Sequence, residues 1–330
     1  MLRHQSLKCT DMPLSARCAA LASIARETAL VVASRSRAGV QSSMALRMKW
    51  HLGQAIPQLG FEPVAMRLRA FVDGDPALDT QHGVLVWEPR RIVPVYAVPE
   101  DDLLLRVEPT DPPPGPPDLD SFPPMLGPDS FEPHTTPGTI VDLVTGNRRV
   151  ARAGFRPDDR DLARLVVLDF LAFDRWLAED EELVGHPHDP FKRIDVLSSQ
   201  RHVEVSLDGT VLASTDNALL LLETHLPIRY YIPPDDVASS LLTPSETRST
   251  CAYKGHATYV STADGRREGR DIGWTYRCPL DDALRVRDHV AFWNERTDIS
   301  VDGELQRRPV TPWSPPAEQA SADAERLEFG

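Results

Sequence analysis

The sequence predicts a mainly β protein: a tandem pair of antiparallel-sheet domains with short helices, arranged about a pseudo-twofold axis. Three observations lead there. One phrase is written twice: Arg67–Gly74, "RLRAFVDG", returns as His202–Gly209, "HVEVSLDG", each an alternating run ending in the Asp-Gly of a tight hairpin. Short apolar-alternating runs follow one another between turn signals throughout the chain. Thirty prolines gather in the extended connections and disfavour long helices.

The repeat continues in order. Gly83–Glu88, "GVLVWE", corresponds to Ala218–Glu223, "ALLLLE", and "EPRRIVPVYAVPEDD" (Glu88–Asp102) to "ETHLPIRYYIPPDD" (Glu223–Asp236). Gly74 to Gly209 and Glu88 to Glu223 each step 135 residues, whereas Pro99 to Pro233 steps 134, a one-residue loop deletion. "HTTPG" (His134–Gly138) then falls opposite "CAYKG" (Cys251–Gly255), Phe155 opposite Trp274, and Val166–Asp174 opposite Val290–Asp298. Conserved order over this length is an internal duplication, and two like domains in one chain pack as an isologous dimer would.

From the amino terminus, residues 1–43 form an Arg- and Ser-rich leader, read as disordered or as a spurious upstream extension, with an organelle-targeting segment as the alternative. Residues 1–50 hold six net positive charges, which leaves −19 on the rest of a chain of net charge −13. Residues 60–184 form the first domain. Within it Thr110–Pro124 is a stiff proline-rich excursion, and Ala172–Leu183 is helix-competent, its acidic run reading as a solvated face. Residues 185–200 connect the domains, 201–308 form the second, and 309–330 read as a disordered tail.

Composition narrows the function. The acidic balance disfavours a phosphate-binding surface, so no nucleic-acid partner is expected. No apolar run nears the roughly 20 residues of a membrane helix, and a soluble, cytoplasmic protein is expected. Cys9, Cys18, Cys251 and Cys278 form no CxxC pair and suggest a reducing compartment. No cofactor is expected, and the choice between monomer and homodimer is left open.

The blocks "LPIRYYIP", "CAYKGHATY", "GWTYRCPL" and "GHPHDPFKRID" resemble those of the domain-of-unknown-function family 427, in its tandem form, over about Met66 to Glu304. The resemblance implies a β-tent-like fold, with two small antiparallel sheets leaning together and a pocket between them. Some classifications attach a nucleotidyltransferase-type label. This chain has no Gly-rich phosphate loop and no paired Asp-x-Asp to support it, and no zinc-binding cysteine pairs.

The candidate ligand-binding residues lie in the second domain. Glu223 ends an apolar run, and Arg229, Tyr230 and Tyr231 follow across a Leu226-Pro227 turn. A Glu223–Arg229 clamp that fixes this turn is one reading; Glu223 as base or anchor, with Arg229 binding an anion, is the other. Cys251, Tyr253, Lys254 and Trp274 complete the set. On a strand Cys251 and Tyr253 share a face and Lys254 points away, so a bend at Gly255 is needed to unite them. The first-domain counterparts are Glu88, Tyr96, His134, Thr135 and Thr136. Pro233–Asp236 reads as a capped helical turn. His186 and His188 are weak metal candidates, more simply read with their prolines as a latch between the domains. The expected function is binding of a small polar or anionic molecule in a pocket of the second domain. A non-catalytic interaction or scaffold module is the alternative, and a nucleotidyltransferase-like or cysteine-dependent enzyme stands behind both.

Overall fold

The computed structural model describes residues 53–110, 125–311 except 147, and residues 313 and 314. The leader, Cys9, Cys18, the proline run beyond Thr110 and the chain after Ser314 lie outside the described residues.

Alternating apolar runs become strands because one face of each is buried. The first set comprises β1 (Gly60–Pro63), β2 (Leu68–Val72), β3 (Asp75–Thr80), β4 (Val84–Trp87), β5 (Val95–Pro99) and β6 (Arg106–Pro109). It continues with β7 (Gly138–Thr145), β8 (Arg148–Pro157), β9 (Leu165–Leu168), β10 (Arg175–Ala178) and β11 (Glu181–Leu183). The second set opens with β12 (Ile194–Ser198), β13 (Val203–Leu207), β14 (Thr210–Thr215), β15 (Leu219–Glu223), β16 (Arg229–Ile232) and β17 (Leu242–Cys251). It closes with β18 (Gly255–Thr262), β19 (Gly273–Tyr276), β20 (Val290–Phe292), β21 (Asp298–Val301) and β22 (Glu304–Leu305).

Each set builds a seven-stranded and a four-stranded antiparallel sheet. The orders are β1-β4-β5-β9-β8-β7-β6 with β11-β10-β2-β3, then β12-β15-β16-β20-β19-β18-β17 with β14-β13-β21-β22. Strand for strand, β1 to β11 correspond to β12 to β22. Both groups belong to one compact part of the chain. No helix among the described residues is long and apolar enough to cross a membrane.

The duplication reaches individual bonds. Asp73-Gly74 and Asp208-Gly209 all have positive φ, the geometry of the tight hairpin turn. The bulge at Ala70/Phe71 recurs at Val205/Ser206. Thr80 Oγ1 donates to Asp102, and Thr215 Oγ1 to Asp236, each at 2.5 Å. Pro233–Asp236 forms the expected helical turn, with Pro234 at its start and Asp235 and Asp236 in its first turn. The turn makes no side-chain cap bond, and its last aspartate instead ties the loop to β14.

Beyond Ala172, which ends a single 3-10 turn, the segment to Leu183 is not helical. β10 pairs with β2, Trp176 opposite Ala70, and the chain turns at Glu179 (φ 49°) to pair β11 with β10. Trp176 is fully buried among Tyr96, Phe170 and Phe173, and burying that indole outweighs helix preferences of a few tenths of a kcal/mol per residue.

Between the sheets lies solid core: Leu68, Ala70, Tyr96 and Trp176 in the first group, Val203, Val205, Ile232, Phe292 and Ile299 in the second. The pocket implied between the sheets is therefore filled by side chains. A separate cluster covers the far face of each seven-stranded sheet, with Val86, Ala97, Phe155 and Val167 in the first group. In the second it holds Leu221, Tyr231, Trp274, Tyr276 and Ala291. Strand alternation sorts the β16 residues accordingly: Tyr230 and Ile232 pack toward the inter-sheet core, and Tyr231 lies on the far face with Arg229.

Candidate functional site

Glu223 stands at the end of β15, opposite Ile194 of β12, where its carboxylate projects onto the far face. The β17–β18 hairpin brings a cation to it. Cys251 pairs with Gly255, and residues 252–254 form the turn. Gly255 has φ +88°, and a Cβ there would sit 3.3 Å from the Cys278 carbonyl oxygen. This bend, impossible on a continuous strand, turns Lys254 onto Glu223, where its Nζ donates to Oε2. Lys192, from the segment between the sheet groups, reaches the other oxygen at 3.1 Å.

The carboxylate thus carries two ammonium groups. Burial alone would push Glu223 up, but Lys254 and Lys192 hold it below the usual range. Burial would push Lys254 down, yet the Glu223 carboxylate, aided by neighbouring Cys251 and Tyr231, keeps it raised. The side chains of Glu223, Lys254 and Lys192 are 5%, 10% and 20% exposed.

The hairpin tip is clasped by the connecting block. His188 Nε2 meets the Ala252 carbonyl at 2.8 Å, and the Asp189 N–H donates to Tyr253 Oη at 2.7 Å. His188 stacks on the Tyr253 ring, His186 meets it edge-on, and Lys192 lies 5.5 Å from its centroid. His186 Nδ1 faces the Pro187 carbonyl, and burial pushes this imidazole down to about 4. Both histidines are engaged with backbone carbonyls, and no group of three or more His, Cys, Asp or Glu placed to hold a metal occurs among the described residues.

Arg229 takes no part in that cluster, which corrects the expected Glu223–Arg229 pair. Its guanidinium makes a fork to Glu295 at 2.6 and 2.7 Å and a third bond to Asn294. It lies 5.6 and 5.3 Å from the rings of Trp274 and Trp293. Glu295 is fully buried and also accepts from Thr311 Oγ1, while Trp313 lies against Trp293. Thr311, Trp313 and Ser314, which fall in the expected tail, therefore contribute to this box. Tyr231, wholly buried, accepts from Trp274 Nε1 at 3.1 Å.

The first group builds something different around the matching carboxylate. Glu88 accepts from Arg91, His134 Nδ1, the Thr135 and Thr136 N–H groups and Thr136 Oγ1. Against its burial, His134, Arg91 and Thr136 hold it at about 2. His134 is thus committed to Glu88 and stacked on Phe155, rather than paired with Cys251. Tyr96 is core. A cleft beside this network, lined in part by Arg91, Asp169, Phe170 and His186, has room for about one water (≈ 10 Å³).

Sequence reasoning missed Lys192 and Glu295. Lys192 had a signal, since it stands in the "GHPHDPFKRID" block; Glu295, in "VAFWNERTD", had none beyond its charge.

Fold and site together define a class: duplicated two-sheet β proteins whose second copy gathers charged and phenolic groups on the outer face of the larger sheet. Within that class, residues 195–303, which cover most of the second sheet group, match the family model NTP_transf_9, described as a domain of unknown function (DUF427). No curated protein matches the chain.

Proposed function

We propose that the second copy binds a small polar or anionic molecule at the Lys192–Glu223–Lys254 cluster. The observation that carries this reading is a charge imbalance: two ammonium groups meet one buried carboxylate. One positive charge is left over where water is largely excluded, and such a charge is costly until a counter-anion joins it. Lys192, the most exposed of the three, marks the entrance. Cys251, Tyr253 and Tyr231 line the surroundings, whereas Arg229 and Trp274 act as framework.

A thermal-shift screen of small anions and polar metabolites at constant ionic strength tests it. A ligand present at a hundred times its Kd stabilises by about 2.7 kcal/mol, enough to move the midpoint by several degrees. The shift is expected to vanish in Lys192→Gln and to persist in Arg229→Ala, which unfolds at a lower temperature but keeps the cluster. Ligand stabilisation unaffected by Lys192→Gln would remove the cluster from the site. The second reading, a non-catalytic interaction module, is favoured by the filled inter-sheet core and gains if no compound shifts the midpoint.

A further inference from the structure

We propose that Lys192 forms an imine with a small oxo-acid carrying one carboxylate; this rests on the binding reading above and names the substrate class of that site. The first observation is which cations the site uses. Of the chain's 36 Lys and Arg residues only four are lysine: Lys8, Lys49, Lys192 and Lys254. The two among the described residues both meet the carboxylate of Glu223. Arginine serves where a cation only has to hold a carboxylate, as at Glu88, Glu100 and Glu295. Lysine differs in carrying a primary amine that becomes a nucleophile once it gives up a proton.

The second observation is geometric. Glu223 Oε1 lies 3.1 Å from Lys192 Nζ, placed to take that proton and return it. Lys254, on the other oxygen, is the more enclosed, 10% exposed against 20% for Lys192, and stays charged as counter-ion. The Lys192 N–H donates to the Asp189 carbonyl at 3.1 Å, and the Asp189 N–H to Tyr253 Oη at 2.7 Å. The turn that presents the amine is thereby tied to the hairpin tip.

The step balances without a further reagent. The Lys192 ammonium passes a proton to Glu223, and the freed amine adds to the carbonyl carbon, forming the C–N bond. A second amine proton neutralises the resulting alkoxide. The Glu223 acid then protonates the carbinol oxygen, the C–O bond breaks and water departs, leaving a protonated imine. That imine keeps the charge of the ammonium, so the cluster's surplus charge persists and one carboxylate on the substrate neutralises it. This favours an oxo-monoacid over a neutral aldehyde or a dianion.

Pyruvate with sodium cyanoborohydride tests this on the intact protein: the hydride reduces any imine to a stable secondary amine, which peptide mass spectrometry locates. Trapping is expected at Lys192 roughly a hundredfold faster than at Lys8, Lys49 or Lys254, the lower end of what a positioned acid–base group contributes. Lactate, which keeps the carboxylate and lacks the carbonyl, is expected to slow it by competition. Lys192→Arg retains the charge and is expected to keep the pyruvate-induced midpoint shift while losing the adduct. Trapping spread evenly over the four lysines, or none at Lys192, overturns the assignment, as does trapping that lactate leaves unchanged. If an anion then still raises the thermal midpoint in a Lys192-dependent way, the imine falls and the binding reading stands. If none does, both fall.

Discussion

Arg229 shows what a buried charge requires. Its fork to Glu295 is sealed from water and lies against two indoles that pack on each other, so removing one partner leaves the other charged and alone. Arg229→Met is expected to cost about 3–5 kcal/mol in denaturant unfolding, and Glu295→Leu added to it is expected to restore part of the loss. A cost below about 1 kcal/mol for the single change would show that the pair is not held this way. Lys192→Gln, by contrast, retains the Lys254–Glu223 contact and is expected to be nearly neutral in stability. Its effect should appear only with ligand present.

At the level of elements, the two copies agree at a strand position that leaves no room for a side chain. Gly154 on β8 and Gly273 on β19 occupy matched positions, just before Phe155 and Trp274. A Cβ on Gly273 would lie 2.8 Å from the Ala291 carbonyl oxygen and 3.1 Å from the Phe292 ring, and neither can move without shifting β20. Gly273→Ala is therefore expected to lower stability by about 1–3 kcal/mol. Gly60→Ala on β1, with nothing within 4 Å of the added carbon, is the control and should be neutral or slightly stabilising. Equal losses in thermal unfolding would argue against the close strand approach. The Thr215–Asp236 tie is an element-level device too, and Thr215→Val is expected to cost about 1 kcal/mol.

At the scale of the whole molecule, the connecting block lies between the two sheet groups, and His186 is its buried histidine. The folded protein holds this imidazole neutral to about pH 4, while in the unfolded chain it protonates from 6.5. Over that window the unfolded state binds more protons, so stability falls as pH drops from about 6.5 to 4, by on the order of 3 kcal/mol in total. His186→Gln should flatten this part of the midpoint-versus-pH curve. An unchanged slope would place the pH sensitivity elsewhere; Glu88 is the nearest rival, but with a carboxyl at about 2 it contributes only below about pH 4.5.

Much of this architecture was legible because it is local. The Asp-Gly turns, the alternating runs and the order of the duplicated phrases are properties of neighbouring residues, and they led to a mainly β fold in two sheet groups. The repeat separates Tyr230, which recurs as Tyr96 and like it packs in an inter-sheet core, from Arg229 and Tyr231, which do not recur and are buried on the far face of the larger sheet. Charge partners were not legible. Glu223 and Arg229 lie six residues apart, yet a hairpin tip brings Lys254 to the first and a loop after β20 brings Glu295 to the second. Ala172–Leu183 failed likewise, since its propensity is local and the burial of Trp176 is not. The sequence by itself determined the repeating unit, its turns and the face each strand residue takes. Only the tertiary structure decided which charges meet, because those pairings are made by chain segments that folding alone brings together.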